Sequence, residues 1–258
     1  MVKQDVLKIG IIGLGFVGRV IYDWFAGNKI YVYDKHCPGY QVDDINKADI
    51  IFICVPTPYT KKGFDDSAII ESLKKIDKGK IVVIKSTILP GSTRKYQKQF
   101  HNLKILFNPE FLAERTAKRD FEHPNRQIIG YTRDSKEVAG KVMEILPKAP
   151  YNLICLAEEA EMAKYMANTF LATKVIFANQ MFDICAKSKM NYEIVRWIVG
   201  RDPRIGESHL NISTDGYRGY DGKCLPKDTK ALIQYAKKQK VTPMLLEVVD
   251  KINKKYVG

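Results

Sequence analysis

Leu7-Lys8-Ile9-Gly10-Ile11-Ile12-Gly13-Leu14-Gly15-Phe16-Val17-Gly18 is the stretch whose reading decides the fold. Leu7 to Ile12 reads as a buried strand, and Gly18 to about Ala26 reads as a helix. Between them the glycines at 13, 15 and 18 spell G-x-G-x-x-G. Alone this is a weak pattern, and a chance glycine turn in an α/β protein would produce it. Placed after a strand and opening a helix, it is a dinucleotide-binding turn. Gly13 permits the bend, Gly15 lets backbone N–H groups approach a pyrophosphate, and Gly18 lets helix and strand pack closely. Phe16 and Val17 lie in the turn just ahead of the helix N-terminus, whose free N–H groups favour anions. The next apolar run, Lys29 to Tyr33, ends at Asp34. A carboxylate there accepts hydrogen bonds from ribose hydroxyls and repels a 2′-phosphate, which favours NAD over NADP. Lys35 and His36 temper that repulsion.

Outward from this unit the pattern repeats. Apolar segments at Ile50–Val55, Ile81–Ile84 and Leu103–Phe107 alternate with more polar stretches, as parallel strands covered by helices on both faces require. The expected fold class is α/β: a doubly wound Rossmann-type domain over 1–156, followed by an all-helical domain over 157–258. After Pro150, Glu158 to about Ser188 contains neither Gly nor Pro and reads as one long helix. Shorter helices are expected at Tyr192–Val199, Thr229–Lys238 and Pro243–Lys255, with a glycine-rich loop from Asp202 to Lys227.

The 258 residues, 45% hydrophobic and 28% charged, suit a globular protein of two modest domains. The formal charge of +13 suits an anionic partner. Its lysines are dispersed, with short clusters at Lys74-Lys75 and Lys237-Lys238 and no basic arm, so nucleic-acid binding is not expected. Cys37, Cys54, Cys155, Cys185 and Cys224 are widely spaced and lack a C-x-x-C pair. Neither a disulfide framework nor a metal site is suggested, and a reducing, cytoplasmic setting fits. The early run Ile9–Val17 is too short to span a bilayer, so no membrane segment is expected.

Three loops should meet at one sheet edge: Val55-Pro56-Thr57-Pro58, Ser86-Thr87-Ile88-Leu89-Pro90-Gly91 and Asn108-Pro109-Glu110-Phe111-Leu112-Ala113-Glu114. Ligands of doubly wound sheets bind in the crevice beyond the carboxyl ends of the strands. Singly, each loop reads equally well as a proline turn. In the long helix Lys164 and Asn168 share a face at i, i+4. An ammonium and an amide so placed can donate to a developing oxyanion, although spacing alone favours solvent-facing residues. In Gly219-Tyr220-Asp221-Gly222-Lys223-Cys224-Leu225-Pro226-Lys227-Asp228 a cysteine is flanked by lysines, and cationic neighbours lower a thiol's pKa. A thiolate there can add to an aldehyde and hold it for a second oxidation. The other cysteines read as buried structural residues. Met162, Met166, Phe170 and Phe177 form a helical stripe of the kind that more often faces an intramolecular core than an interface.

Taken in order, GLGFVG, VPTP, STILPG, NPEFLAE, the Lys164/Asn168 helix, Asp202-Pro203-Arg204-Ile205-Gly206 and GYDGKCLPKD resemble the UDP-glucose/GDP-mannose dehydrogenases from about Lys8 to the end of the chain. The resemblance implies a NAD-binding domain, a central helical domain that forms a homodimer, and oxidation of a nucleotide-sugar C6 alcohol to a carboxylate using two NAD. It assigns Cys224 as nucleophile and Lys164 and Asn168 as stabilisers of oxyanions. Asp228 and Thr87 position water and protons, and Glu110 assists thioester hydrolysis. Thr57, Thr87, Glu114 and Lys227 join the glycine turn and Asp34 in holding NAD. Glu110, Phe111, Leu112, Lys164, Asn168, Arg204, Tyr220 and Cys224 contact the substrate, Arg204 from a neighbouring subunit.

Two departures stand out. The family's Gly-x-Gly-Gly ahead of the cysteine has Asp221 at its third position, which would cost about 1 kcal/mol if positive φ were needed there. The family's full-length members also carry a further Rossmann-like domain that binds the UDP part. Two other readings remain: a single-step dehydrogenase of the β-hydroxyacid type, which shares the two-domain size and the Lys-x-x-x-Asn helix, and a dinucleotide-binding pseudoenzyme that pairs with a full-length relative.

Overall fold

The computed structural model describes residues 6–37, 42–213 and 216–257. In chain order the elements are β1 (Lys8–Ile12), α1 (Phe16–Trp24), β2 (Lys29–Tyr33), α2 (Val42–Ile45), β3 (Ile50–Ile53), β4 (Tyr59–Thr60), β5 (Gly63–Phe64), α3 (Ser67–Leu73), β6 (Ile81–Ile84), α4 (Ser92–Gln99) and β7 (Lys104–Phe107). They continue with α5 (Ala117–Glu122), β8 (Arg126–Tyr131), α6 (Lys136–Ile145), β9 (Tyr151–Leu156), α7 (Ala157–Lys187), α8 (Tyr192–Gly200), α9 (Leu225–Lys238) and α10 (Met244–Val257). The chain divides into two compact units, 1–60 with 64–164 and 61–63 with 165–258. The division falls inside α7.

The first unit is a seven-stranded sheet of order β2-β1-β3-β6-β7-β8-β9. It is parallel except where β8 runs antiparallel to β7. From β1 the chain goes to β2 on one side and returns to β3 on the other, and that reversal opens a crevice at the carboxyl ends of β1 and β3. Strand period 2 builds two cores. Ile51, Ile53, Val82, Ile84, Ile105 and Phe107 point to one face, and Ile50, Phe52, Ile81, Val83 and Leu106 to the other. Continuous apolar runs are therefore what these central strands require.

Strands β8 and β9 go beyond the sequence reading. In β9, Tyr151, Leu153, Ile154 and Leu156 are exposed at the sheet's edge.

In the second unit α9 begins at Leu225, one turn before the expected Thr229, and carries Pro226 in its first turn. Proline suits that place because its missing N–H would have had no helical partner. The methionine–phenylalanine stripe of α7 is not core, contrary to expectation: Met166 is 69% exposed, Phe170 65% and Phe177 54%, and Met162 is also exposed. The second unit's interior is instead two small clusters, one around Ala172, Ile176, Tyr220 and Val249 and one around Ala178, Cys185, Tyr192 and Leu210. All five cysteines are free thiols. Only Cys185 is buried; Cys37, Cys54 and Cys155, expected in the interior, are half-buried. Among the described residues no helix is long and apolar enough to cross a membrane.

Helix α4 starts after Gly91, a left-handed residue at φ 89° with no side chain to cap the N-terminus. Glu161 of α7 supplies one. It accepts from the Gly91 N–H at 2.6 Å, the Thr93 N–H at 2.8 Å and the Thr93 hydroxyl at 2.6 Å. Burial pushes the Glu161 carboxyl up to about 7, and the Thr93 and Gly91 donors only partly offset it. The folded-state value thus lies above the ordinary 4.5, so this group's stabilisation is complete below about 4.5 and is lost as pH rises through about 7. Glu161→Gln turns an amide donor toward one of these N–H groups and should cost about 1–3 kcal/mol. Its deficit in thermal midpoint relative to wild type should be wider at pH 5 than at pH 8. A deficit independent of pH would contradict the assignment.

Candidate functional site

The glycine turn meets each demand of dinucleotide binding. Gly13 has φ +94°, and a Cβ there would lie 2.9 Å from the Cys54 carbonyl oxygen. A Cβ on Gly18 would lie 1.9 Å from the Gly13 carbonyl oxygen, so only glycine fits beneath the turn. Around Gly15, at the N-cap of α1, a Cβ would meet nothing within 4 Å. That open face, beside the helix N-terminus, is what a pyrophosphate needs. Phe16 and Val17 pack their side chains on the core and leave their backbone in the first turn.

Asp34 closes the turn. Its carboxylate accepts from the Leu14 N–H at 2.7 Å and the His36 N–H at 2.8 Å. Burial acts to raise this carboxyl, but these N–H groups and the nearby His36 and Lys35 charges outweigh it and hold it below the usual carboxylate range. Each oxygen keeps a further lone pair for ribose hydroxyls.

The loops after β3, β6 and β7 come together as expected. The buried Thr57 hydroxyl donates to the Thr87 carbonyl at 2.8 Å. Ser86 Oγ donates to the Val55 carbonyl at 2.6 Å. Thr87 is itself buried. After β7, Glu110 is buried, accepts from the Leu112 N–H at 2.9 Å and pairs with Lys164 Nζ at 3.0 Å. The Phe111 ring lies 3.8 Å from the Arg126 guanidinium carbon and 5.5 Å from Lys164 Nζ. Lys164 and Asn168 are thus not the solvent-facing pair that spacing alone suggested, since both are buried. The Glu114 side chain lies outside the described residues.

In the second unit Cys224 is the N-cap residue of α9 and is half-buried. A helix N-terminus favours the thiolate. One turn on, the buried Asp228 accepts from Asn168 Nδ2 at 2.6 Å and pairs with Lys227 Nζ at 2.6 Å. Lys227, assigned to the cofactor by resemblance, is here the counter-charge of Asp228. Tyr220, assigned to the substrate, packs its ring in the core. Arg204 is exposed, its guanidinium engaged by Asp202 at 2.6 Å, and Lys174 anchors the same loop through the carbonyls of Ile205 and Gly206.

Lys85, Asn108, Glu161 and Asn253 were not singled out in the sequence. Asn253 brackets the cysteine loop, accepting from the Tyr220 N–H at 2.7 Å and donating to the Tyr220 carbonyl at 2.8 Å. No local spacing pairs it with a loop 33 residues away.

Residues 40–147 match the NAD binding domain, and residues 158–255 the central domain, of the UDP-glucose/GDP-mannose dehydrogenase family. A UDP-glucose 6-dehydrogenase of Rickettsia typhi is 34% identical over 227 residues, which are 84% of this chain and 51% of that protein. The UDP-glucose 6-dehydrogenase TuaD of Bacillus subtilis is 33% identical over 300 residues, covering 96% of this chain and 63% of that one. The solved UDP-glucose dehydrogenase of Pyrobaculum islandicum shares the fold with a TM-score of 0.86 at 24% identity, over 99% of this chain and 69% of that one. The chain spans about half the length of the Rickettsia relative.

Gly15 and Gly18 give a paired test of the turn. Gly18→Ala should lower the thermal midpoint and abolish NAD binding, because its methyl cannot coexist with the Gly13 carbonyl. Gly15→Ala should leave the midpoint unchanged yet weaken NAD at least about 10-fold by calorimetry, since its methyl occupies only the ligand's approach. Equal effects on folding would contradict this division.

Proposed function

Because the chain belongs to the UDP-glucose/GDP-mannose dehydrogenase family, we propose that it is a NAD-dependent nucleotide-sugar dehydrogenase that oxidises a sugar C6 alcohol to the acid in two steps. UDP-glucose is the favoured substrate, after the names of the Rickettsia and Bacillus relatives. One observation carries the reading: Cys224 caps α9 one turn before a buried Asp228 that Asn168 and Lys227 hold in place.

NAD, held by the Gly13–Gly18 turn and Asp34 with Thr57, Thr87 and Glu114, supplies the oxidising power when bound. In the first step Lys164 and Asn168 donate to the C6 oxygen as it gains negative charge. The Cys224 thiolate then adds to the aldehyde carbon, giving a thiohemiacetal whose oxidation leaves a thioester. Water attacks that carbonyl, Glu110 takes the water's proton, and the C–S bond breaks with its electrons returning to sulfur. Asp228 and Thr87 order the water and protons around these steps. Phe111, Leu112, Tyr220 and, from a second copy, Arg204 contribute to holding the sugar nucleotide.

A homodimer fits the exposed stripe of α7, where Met166, Phe170, Phe177 and Ile184 recur at helical spacing, with Trp197 and Ile198 exposed on α8. A patch of this kind on a polar-rimmed helix marks an interaction surface. The free thiols suit a reducing cytoplasm.

Wild-type protein with UDP-glucose should release two NADH per sugar, followed by absorbance, and Cys224→Ser should release no more than one. A single NADH from wild type, unaffected by Cys224→Ser, would favour one-step chemistry of the β-hydroxyacid type. NAD binding without turnover on any nucleotide sugar would make the chain a non-catalytic partner.

Sedimentation offers a separate check on assembly. Wild type should run as a dimer and Phe170→Asp/Phe177→Asp as a monomer with unchanged helix content. A monomeric wild type would overturn the dimer.

A further inference from the structure

Lys85 is a buried ammonium that the reaction above does not use. It directly follows β6, is 3% exposed and donates to Asn108 Oδ1 at 2.6 Å. Asn108, fully buried, passes its own amide hydrogens to Gln127 Oε1 at 2.8 Å and the Ile128 carbonyl at 2.6 Å. The Lys85–Asn108–Gln127 chain therefore fixes the start of the turn that carries Glu110. Beside it lies a cavity of about 230 Å³, walled by Lys85, Glu110, Phe111, Phe121, Arg126 and Gln127. At about 30 Å³ per water, several waters fit.

The charges around this cavity are unequal in their freedom. Asp120 is occupied by the Ala113 N–H and the Thr116 hydroxyl, and Arg126 stacks on Phe111. His123 also lines the cavity. Burial pushes Lys85 down to about 8, with Cys54 and Glu110 pulling it back up and Lys164 pushing it down. Lys85 Nζ also lies 5.6 Å from the Phe121 ring centre. A methionine would fill this space without the cost of burying a charge, so the ammonium calls for a reason.

Lys164 supplies that reason, because it is needed twice. At rest it pairs with Glu110. When it turns to the substrate oxyanion, Glu110 is left as a buried carboxylate without its partner, an expensive state. We propose that Lys85 is a positioning residue for thioester hydrolysis: through Asn108 it fixes the turn bearing Glu110, and its ammonium, on the wall of the same cavity, is the standing counter-charge to Glu110 while Lys164 serves the oxyanion. The cavity then stores water next to that carboxylate. The inference rests on the roles of Glu110 and Lys164 in the proposed reaction.

The test has two arms. In the protein without substrate, carbon-13 NMR of the Lys85 Cε should give a titration midpoint of about 8. Glu110→Gln should move that midpoint down by about one unit, because the ammonium loses its negative neighbour. With UDP-glucose and NAD, Lys85→Met should keep the KM and the first NADH burst, slow acid formation about 100-fold, and leave a sugar adduct on Cys224 visible by intact mass. Lys85→Arg should recover much of the hydrolytic rate. A midpoint indifferent to Glu110→Gln, or equal slowing of both halves of the reaction by Lys85→Met, would overturn the proposal. If wild type turns over no nucleotide sugar, the enzymatic reading fails, while the titration still decides whether Lys85 and Glu110 are coupled. The titration also decides it if Lys85→Met does not fold.

Discussion

The buried ion pair between Lys164 and Glu110, 3.0 Å apart, is the constraint on which the first unit's ligand-facing edge depends. Helix α7 presents Glu161 and Lys164 at i, i+3, so both point to one side, and both are buried. Glu161 receives the loop that starts α4, and Lys164 receives the loop that follows β7. One helical turn thereby fixes two loops far apart in sequence. Such charges are costly to desolvate, and removing one partner of a buried pair typically costs about 3–5 kcal/mol. An apolar pair would pack as well. What the charges return is anchorage: Glu161 caps α4 and Lys164 holds the loop after β7.

Much of the first unit was legible because its signals are local. Ile50–Ile53 and Ile81–Ile84 are continuous apolar runs, and strands buried on both faces need nothing else. The glycines at 13 and 18 announce their turn because each answers a short-range steric demand, and Gly15 because it leaves the turn's outer face open. β9 was passed over because it is exposed along most of its length, so burial leaves no imprint on its pattern, and β8 because Arg126 and Gln127 precede an apolar run of only Ile128 and Ile129. The same limit misplaced the α7 stripe. Helical spacing marks an apolar face but not what covers it, and here the chain's own residues leave Met166 and Phe170 open. Lys85 and Asn253 escaped notice because their partners come from distant segments.

Asp221 shows how structure can remove an apparent defect. Replacement of a glycine in the loop before the cysteine would be strained if that position were left-handed. The left-handed residues are instead Gly219 at φ +77° and Gly222 at φ +83°, both still glycine, and Asp221 is not among the residues of positive φ. At Gly219 a Cβ would also lie 2.6 Å from Asn253 Oδ1. The constraint is thus double there, conformational and steric. The loop keeps glycine where both apply and tolerates Asp where neither does.

Electrostatics around Cys224 then has to be settled by position. A carboxylate one turn into α9 opposes a thiolate at its start, and Asp221 adds to that opposition. Asp228, however, is spoken for, since Lys227 neutralises it at 2.6 Å and Asn168 donates to its other oxygen at 2.6 Å. A paired carboxylate projects little net charge toward the thiol. The α9 N-terminus, with its unsatisfied N–H groups, remains directed at the cap residue. Asp221 is exposed, where water screens its charge. The Cys224 thiol thus sits at the helix start with both neighbouring carboxylates blunted, Asp228 by its ion pair with Lys227 and Asp221 by water.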